Sequence, residues 1–177
     1  GVKELKLSVI IPAHQAGEDL RQCLQSVKLA IPPEVEILVV SDGDDAAVNR
    51  LCEQMGLNFL RNPSRQGPAA ARNLGARQAR GELLLFVDSD IVIPQDSILR
   101  VLELFQANPD VAALFGSYDD TPAAGNFLSQ YRNLLHHYVH QTSRTEASTF
   151  WSGFGAIRRK AFFEVGAFDE QRYRAPS

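Results

Sequence analysis

The sequence has few cysteines and no strong excess of charge, and both shortages limit what the chain can be. Its 177 residues include only two cysteines. Cys23 and Cys52 each fall on the apolar stripe of a predicted helix, which indicates reduced core thiols in a cytosolic protein. Neither a disulfide framework nor a cysteine metal site is expected. The net charge of −3 provides no general basic field, so we expect no nucleic-acid partner.

Long apolar segments are also missing from the sequence. No stretch approaches the roughly 20 apolar residues of a membrane-spanning helix, and no signal peptide is recognisable. The leading Gly1 could be a cloning remnant, which would make this chain an excised piece of a longer one. We therefore expect a cytoplasmic domain. If the parent protein is associated with the cytoplasmic face of a membrane, its tether lies outside this segment.

What the sequence does contain is a regular alternation of strand and helix patterns. Apolar runs of strand length alternate with apolar residues spaced i, i+3, i+4 and i+7, which is typical of one-faced helices. This alternation predicts an α/β fold: a mainly parallel, Rossmann-like sheet with helices on both faces. The predicted strands are 7–11, 35–40, 57–60, 83–87 and 111–115, and the predicted helices include an Ala-rich one over 68–79, closed by Gly81.

The alternation stops after Gly116, although no linker or repeat follows. We interpret residues 1–177 as one domain whose second half, after residue 116, differs from the first. A longer helix is predicted over 127–141, with an aromatic stripe. That stripe would pack on the core or a partner, or alternatively contact a membrane surface.

The most informative motif is Asp88-Ser89-Asp90, which ends the wholly apolar run of residues 83–87. Such a run is typical of a strand buried on both faces, and open α/β sheets bind ligands at the carboxyl ends of their strands. Two neighbouring carboxylates repel each other, so a hard cation such as Mg²⁺ or Mn²⁺, shared with substrate phosphates, would explain the pair. The alternative is a solvated turn.

Other predicted strands also end in polar residues. The first is followed by Pro12-Ala13-His14, the second by Asp42-Gly43, and the third leads through Arg61-Asn62 towards Gly67 and Arg72. The first loop lacks the G-x-G-x-x-G pattern that a dinucleotide-binding sheet requires there. A Rossmann dehydrogenase or a similar nucleotide enzyme is therefore disfavoured.

Five segments in this order closely resemble the family 2 glycosyltransferases, which have the A-type, nucleotide-sugar-binding fold. The resemblance covers nearly the whole chain, and it rests on the order of the segments more than on any one of them. It implies a nucleotide-sugar-binding half over about 5–116 and a truncated acceptor-side half over about 117–177, in which the aromatic stripe could also meet a lipid-linked acceptor. The segments are Ser8–Pro12, Val39–Gly43, Gly67–Asn73, Phe86–Asp90 and Ser152–Glu170.

The resemblance implies roles for individual residues. Asp88 and Asp90 would be the metal-binding pair of a D-x-D motif, with Asp90 the more direct ligand of Mn²⁺ or Mg²⁺, and the metal would stabilise the leaving nucleoside diphosphate. Asp42 would bind the base or ribose, and Arg72 would lie near the base or phosphates. The remaining implied residues of the donor pocket are Pro12, Ala13, His14, Gly67 and Ser89.

The resemblance also implies the reaction and its partners. The donor would be a nucleoside-diphosphate sugar, with UDP expected first and GDP as the alternative. A saccharide or lipid-linked acceptor would attack with inversion, near Trp151, Ser152 and Gly153. The family's catalytic base belongs to a Glu-Asp motif that would fall beyond Ser177. We therefore expect this chain to bind nucleotide and metal but to transfer sugar poorly, because a positioned base contributes roughly 10²–10⁴-fold.

Each assignment has a plainer alternative. Asp42 before Gly43 could be turn chemistry, Arg72 could be a solvated helix residue, and Trp151 could be a core residue. Ser41 stands where the family often has an acid, which affects the fine contacts to the nucleotide. The histidines His136, His137 and His140 are better explained as a wet helix face than as a metal site. For the whole chain, the alternative is a non-catalytic module that binds a nucleotide sugar or an acceptor.

Overall fold

The computed structural model describes residues 4–117, 153–164 and 166–168. Within these residues, strands and helices alternate as the spacing predicts. The strands are β1 (Leu7–Ala13), β2 (Glu36–Asp42), β3 (Asn58–Asn62), β4 (Leu83–Val87), β5 (Ala113–Ser117) and β6 (Gly153–Arg158). The helices are α1 (Glu18–Ala30), α2 (Ala46–Met55), α3 (Pro68–Gln78), α4 (Ser97–Ala107) and α5 (Arg159–Glu164).

The described strands form one sheet in the order β3-β2-β1-β4-β6-β5. The pairs β3–β2, β2–β1 and β1–β4 are all parallel. β6 is antiparallel to both of its neighbours, β4 and β5. The predicted α/β class with a mainly parallel sheet is therefore confirmed, with one antiparallel strand inserted near an edge.

Helices cover both faces of the sheet, as predicted. The side chains of β4 alternate between the two faces: Leu83, Leu85 and Val87 pack with α1, α2 and α4, whereas Leu84 and Phe86 pack with α3 and α5. Every residue of β4 is buried. This two-sided burial explains why the strand is a continuous apolar run without alternation.

Helix α3 lies very close to the sheet, and its small residues permit this approach. A β-carbon at Gly75 would come within 2.5 Å of Ile10 Cγ2 in β1. Ala69, Ala71 and Ala76 are buried against the same face. The Ala-rich composition, which predicts a helix by propensity, thus also sets the spacing between helix and sheet.

The ends of elements differ from the prediction by a few residues. Gly56 ends α2 in the left-handed conformation, at φ 68°, as expected of a C-cap glycine. Gly81 does not end α3, because the helix stops at Gln78. Gly81 instead lies against β1, where an added β-carbon would be 2.6 Å from Ser8 N. The fifth strand begins at Ala113, two residues later than the pattern predicts.

The helix predicted over 127–141 lies outside the described residues, as do His136, His137 and His140. In the part of the chain that is described, no helix is both long enough and apolar enough to cross a membrane.

Candidate functional site

The polar residues that follow β1, β2 and β4 meet at one edge of the sheet. β1 lies between β2 and β4, and all three strands are parallel, so their carboxyl ends are adjacent. Pro12 and Ala13 are the last two residues of β1 and are buried, while His14, the next residue, is exposed. A cleft of about 310 Å³ opens beside them, lined by His14, Gln15, Gly17, Glu18, Asp19, Leu20, Ser89 and Asp90.

Asp42, the last residue of β2, is buried and uses both carboxylate oxygens. Oδ1 accepts hydrogen bonds from Asn62 Nδ2 at 3.1 Å and from Gln66 N at 3.0 Å. Oδ2 accepts one from Gly67 N at 3.0 Å. Asp42 is therefore more than a turn residue: it fixes the loop between β3 and α3 and brings Gly67 to the site.

Arg72 lies on α3 and pairs with Asp88 across the sheet edge. Its Nη2 donates a hydrogen bond to Asp88 Oδ1 at 2.6 Å. The arginine side chain is 9% exposed and the aspartate side chain 34%. Burial lowers the pKa of Arg72 and the charge of Asp88 opposes that shift. The alternative of a solvated helix residue is wrong, because this guanidinium is buried and paired.

Gly153, the first residue of β6, is in direct contact with Asp88. Asp88 N donates a hydrogen bond to Gly153 O at 2.8 Å. A β-carbon on Gly153 would lie 3.1 Å from Asp88 Oδ2 and 2.4 Å from Ile91 Cδ1. A residue expected on the acceptor side thus lies against the first carboxylate of the motif. Trp151 and Ser152 lie outside the described residues.

The carboxylates of Asp88 and Asp90 differ in their surroundings. Asp88 is partly buried and paired with Arg72, whereas Asp90 is exposed and lines the cleft next to Ser89. Among the described residues, no three His, Cys, Asp or Glu side chains are placed to hold a metal together. One or two carboxylates completed by substrate phosphates is a common way to bind Mg²⁺, so the donor set fits such an ion, with Asp90 the more accessible ligand.

Cys23 lies beneath the same loop. Its thiol donates to Asp88 O at a sulfur–oxygen distance of 3.4 Å. The pKa of Cys23 is raised to about 12, mainly by burial; a backbone hydrogen bond at Ile91 lowers it, and the charges of Asp90 and Asp88 add to the rise. Both cysteines are buried and unbridged, which confirms that they are core thiols. The apolar stripe predicts the burial of Cys23 but gives no sign that it supports the Asp88 loop.

Glu18 and Asp19 line the cleft although the sequence reasoning did not single them out. They are the acids of the first turn of α1. Their position directly after the loop that follows β1 is the signal that could have identified them, since that loop leads into the site.

A family model and a known relative each match most of this chain. The family model described as Glycosyl transferase family 2 matches residues 8–166. The glycosyltransferase GlyA of Streptococcus pneumoniae is 26% identical over 93% of this chain, which covers 26% of GlyA.

Two solved structures show the same fold. The mannosyltransferase PcManGT of Pyrobaculum calidifontis, in complex with GDP-Man and Mn²⁺, superimposes with a TM-score of 0.66 at 22% identity, over 95% of this chain and 48% of that one. TarS 1-349 of S. aureus, in complex with UDP-GlcNAc, gives a TM-score of 0.60 at 25% identity, over 67% of this chain and 36% of that one. The chain therefore spans less than half the length of each of these three proteins.

Proposed function

The chain belongs to glycosyl transferase family 2, and on that basis we propose that it carries the donor site of a metal-dependent, inverting glycosyltransferase. The donor is a nucleoside-diphosphate sugar, and the sugar passes to an acceptor hydroxyl with inversion. The observation that carries the proposal is the meeting of Asp42, Arg72, Asp88 and Asp90 at one sheet edge, beside an open cleft.

The proposed donor pocket uses the loops that the strands bring together. We propose that Pro12, Ala13 and His14 form the side of the donor pocket at the end of β1, where His14 lines the cleft, and that Asp42 holds Gly67 at the end of β2. Asp42 already accepts three hydrogen bonds within the chain, so it supports the nucleotide pocket through the loop it holds as well as through direct contact. Ser89 and Asp90 line the same cleft as His14.

Two structural neighbours support a nucleotide sugar without deciding its base. One was solved with GDP-Man and the other with UDP-GlcNAc. We propose UDP as the first candidate and GDP as the second. The sugar and the acceptor, whether a saccharide or a lipid-linked one, depend on parts of the site outside the described residues.

Asp90 and Asp88 would hold Mn²⁺ or Mg²⁺. When bound, such an ion supplies charge stabilisation for the leaving diphosphate. Arg72 keeps the carboxylate of Asp88 in place. The N–H of Asp88 donates a hydrogen bond to Gly153 O at 2.8 Å, which fixes the Asp88 backbone. The Mn²⁺ in the mannosyltransferase complex supports a metal for this chain.

The acceptor side is proposed to include Trp151, Ser152 and Gly153, with the catalytic base beyond Ser177. The contact between Gly153 and Asp88 supports this, because it brings the start of β6 to the donor carboxylate.

The second candidate function is a non-catalytic module that binds a nucleotide sugar or an acceptor. Transfer to an acceptor, measured on the parent protein, distinguishes the two. We also propose a cytoplasmic location for this domain, with the cytoplasmic face of a membrane as the alternative for the parent protein.

The test is a calorimetric titration of the chain with UDP and with GDP, each with and without Mn²⁺. We expect one nucleotide to bind in a metal-dependent manner, and at least about 10-fold more weakly in the Asp88→Ala, Asp90→Ala double variant. A matched control is the Glu53→Ala, Glu103→Ala double variant, which removes two exposed acids from helices α2 and α4. No binding to either nucleotide by the folded chain would overturn the proposal.

A further inference from the structure

Asn73, on helix α3, holds the backbone of Phe168 from both sides. Its Nδ2 donates to Phe168 O at 3.0 Å, and Phe168 N donates to its Oδ1 at 3.0 Å. The asparagine is 2% exposed, so these bonds are made away from water. Because the amide pairs with both the donor and the acceptor of one residue, it fixes the position and the orientation of that backbone, as a neighbouring strand would.

The segment around Phe168 has a shape that needs such support. Gly166 has φ 89° and Ala167 has φ 65°, so both residues are in the left-handed region. For an alanine this conformation costs about 1–2 kcal/mol. Gly166 N donates to Phe163 O and Ala167 N to Phe162 O, at 3.1 and 3.0 Å. Strained backbone held by several bonds is often found where position matters for function.

The ring of Phe168 links this segment to the carboxylate site. It packs edge-on against Phe86 of β4, with the ring centroids 5.3 Å apart. The guanidinium carbon of Arg72 lies 5.3 Å from the centroid of the Phe168 ring. The same guanidinium is bonded to Asp88. Arg72 and Asn73 are consecutive, so one turn of α3 contacts both the Asp88 carboxylate and residues 166–168.

This arrangement connects the Asp88 carboxylate to residues 166–168 through the side chain of Arg72. A divalent cation that bound beside Asp88 would compete with the positive guanidinium of Arg72 for the Asp88 carboxylate. Binding of the cation and the nucleotide would therefore change the electrostatic balance on a buried guanidinium that also contacts the Phe168 ring.

We infer that Arg72 and Asn73 couple occupancy of the donor site to the position of residues 166–168. Asn73 is a positioning residue in this scheme, since it acts through the backbone of Phe168. The inference rests on the proposed function, because it requires a nucleotide to bind next to Asp88. Coupling of this kind is reciprocal, so disturbing residue 168 must change nucleotide affinity.

The first experiment follows the Phe168 amide and the Ala167 methyl group by NMR while Mg²⁺ and then UDP or GDP are added to the wild-type chain. We expect both signals to shift, and to saturate with the dissociation constant of the nucleotide. If the nucleotide binds and these signals do not respond, the coupling is wrong and the proposed function stands. If no nucleotide binds, both fail together.

Two variants separate coupling from simple structural support. Asn73→Asp removes the donor to Phe168 O, and Phe168→Leu removes the ring while keeping the backbone bonds. We expect each variant to weaken nucleotide binding about 5-fold or more and to reduce the Ala167 response. Asn58→Asp, the same change at an exposed position in β3, is the control. Variants that are less stable but folded, with unchanged nucleotide affinity and Ala167 response, would overturn the inference.

Discussion

Gly153 lies so close to Asp88 that even a β-carbon would crowd the aspartate carboxylate. A β-carbon at Gly153 would lie 2.4 Å from Ile91 Cδ1 and 3.1 Å from Asp88 Oδ2, and the backbone φ of 92° disfavours any other residue. A methyl group added at the start of β6 would therefore crowd both Ile91 and the Asp88 carboxylate. Both the backbone conformation and the available space favour glycine at this position.

We predict that Gly153→Ala lowers the free energy of unfolding by at least about 2 kcal/mol, from backbone strain and overpacking together. Urea unfolding followed by circular dichroism measures the effect. Gly17→Ala is the control, because its β-carbon would meet no atom within 4 Å and its φ is −137°. Equal stability of the two variants would contradict the geometry at Gly153.

The Arg72–Asp88 pair predicts an unequal response to its two deletions. Asp88→Ala takes the carboxylate away from a buried guanidinium, which should cost about 2–3 kcal/mol. Arg72→Met leaves a carboxylate that is one-third exposed and can be hydrated, so it should cost only about 1 kcal/mol. We therefore expect the double variant to be more stable than Asp88→Ala alone. A double variant less stable than both single variants would show that this reasoning is wrong.

The three hydrogen bonds of Asp42 make its charge important for the loop between β3 and α3. Asp42→Asn replaces one acceptor oxygen by an amide that cannot accept from Gly67 N, and we expect a loss of about 1–3 kcal/mol. Asp44→Asn is the matched control: Asp44 is exposed and has φ 50°, a conformation that asparagine tolerates. We expect a change below about 0.5 kcal/mol there, measured by the same urea titration.

Because the thiol of Cys23 is buried, we predict that the free energy of unfolding decreases at alkaline pH. Burial raises the pKa of its thiol from 9.0 to about 12. The folded state therefore holds the proton after the unfolded chain has lost it, so the contribution is complete below pH 9 and is lost as the pH rises towards 12. Between pH 9 and 10.5 we expect the wild type to lose about 1.5 kcal/mol more than Cys23→Ala. Parallel urea curves at both pH values would test this, and equal losses would exclude it.

Much of the fold could be predicted from local pattern. The apolar run of β4 predicts a strand buried on both faces, and the polar residues after β1, β2 and β4 predict a site at the carboxyl edge. Both predictions depend only on side-chain periodicity and on the geometry of parallel sheets. The family resemblance added roles for Asp42, Arg72, Asp88 and Asp90, which remain proposals.

Other features depend on contacts between distant parts of the chain, which periodicity does not record. Nothing in the apolar pattern of β6 indicates that it is antiparallel or that it lies between β4 and β5. The pairing of Arg72 with Asp88 and the contact of Asn73 with Phe168, 95 residues away, are likewise contacts that periodicity does not record. The resemblance pointed to these segments but did not say which atoms meet.

The position of β6 has a consequence for how the chain acquires its fold. β4 pairs with β1 on one side, but its other side must wait for β6, which is synthesised about 70 residues later. Until then β4 is an unprotected edge made of five apolar residues, with open backbone donors and acceptors. Such a segment readily recruits strands from other molecules. During translation and refolding, we therefore expect aggregation to begin at residues 83–87 until residues 153–158 dock against them.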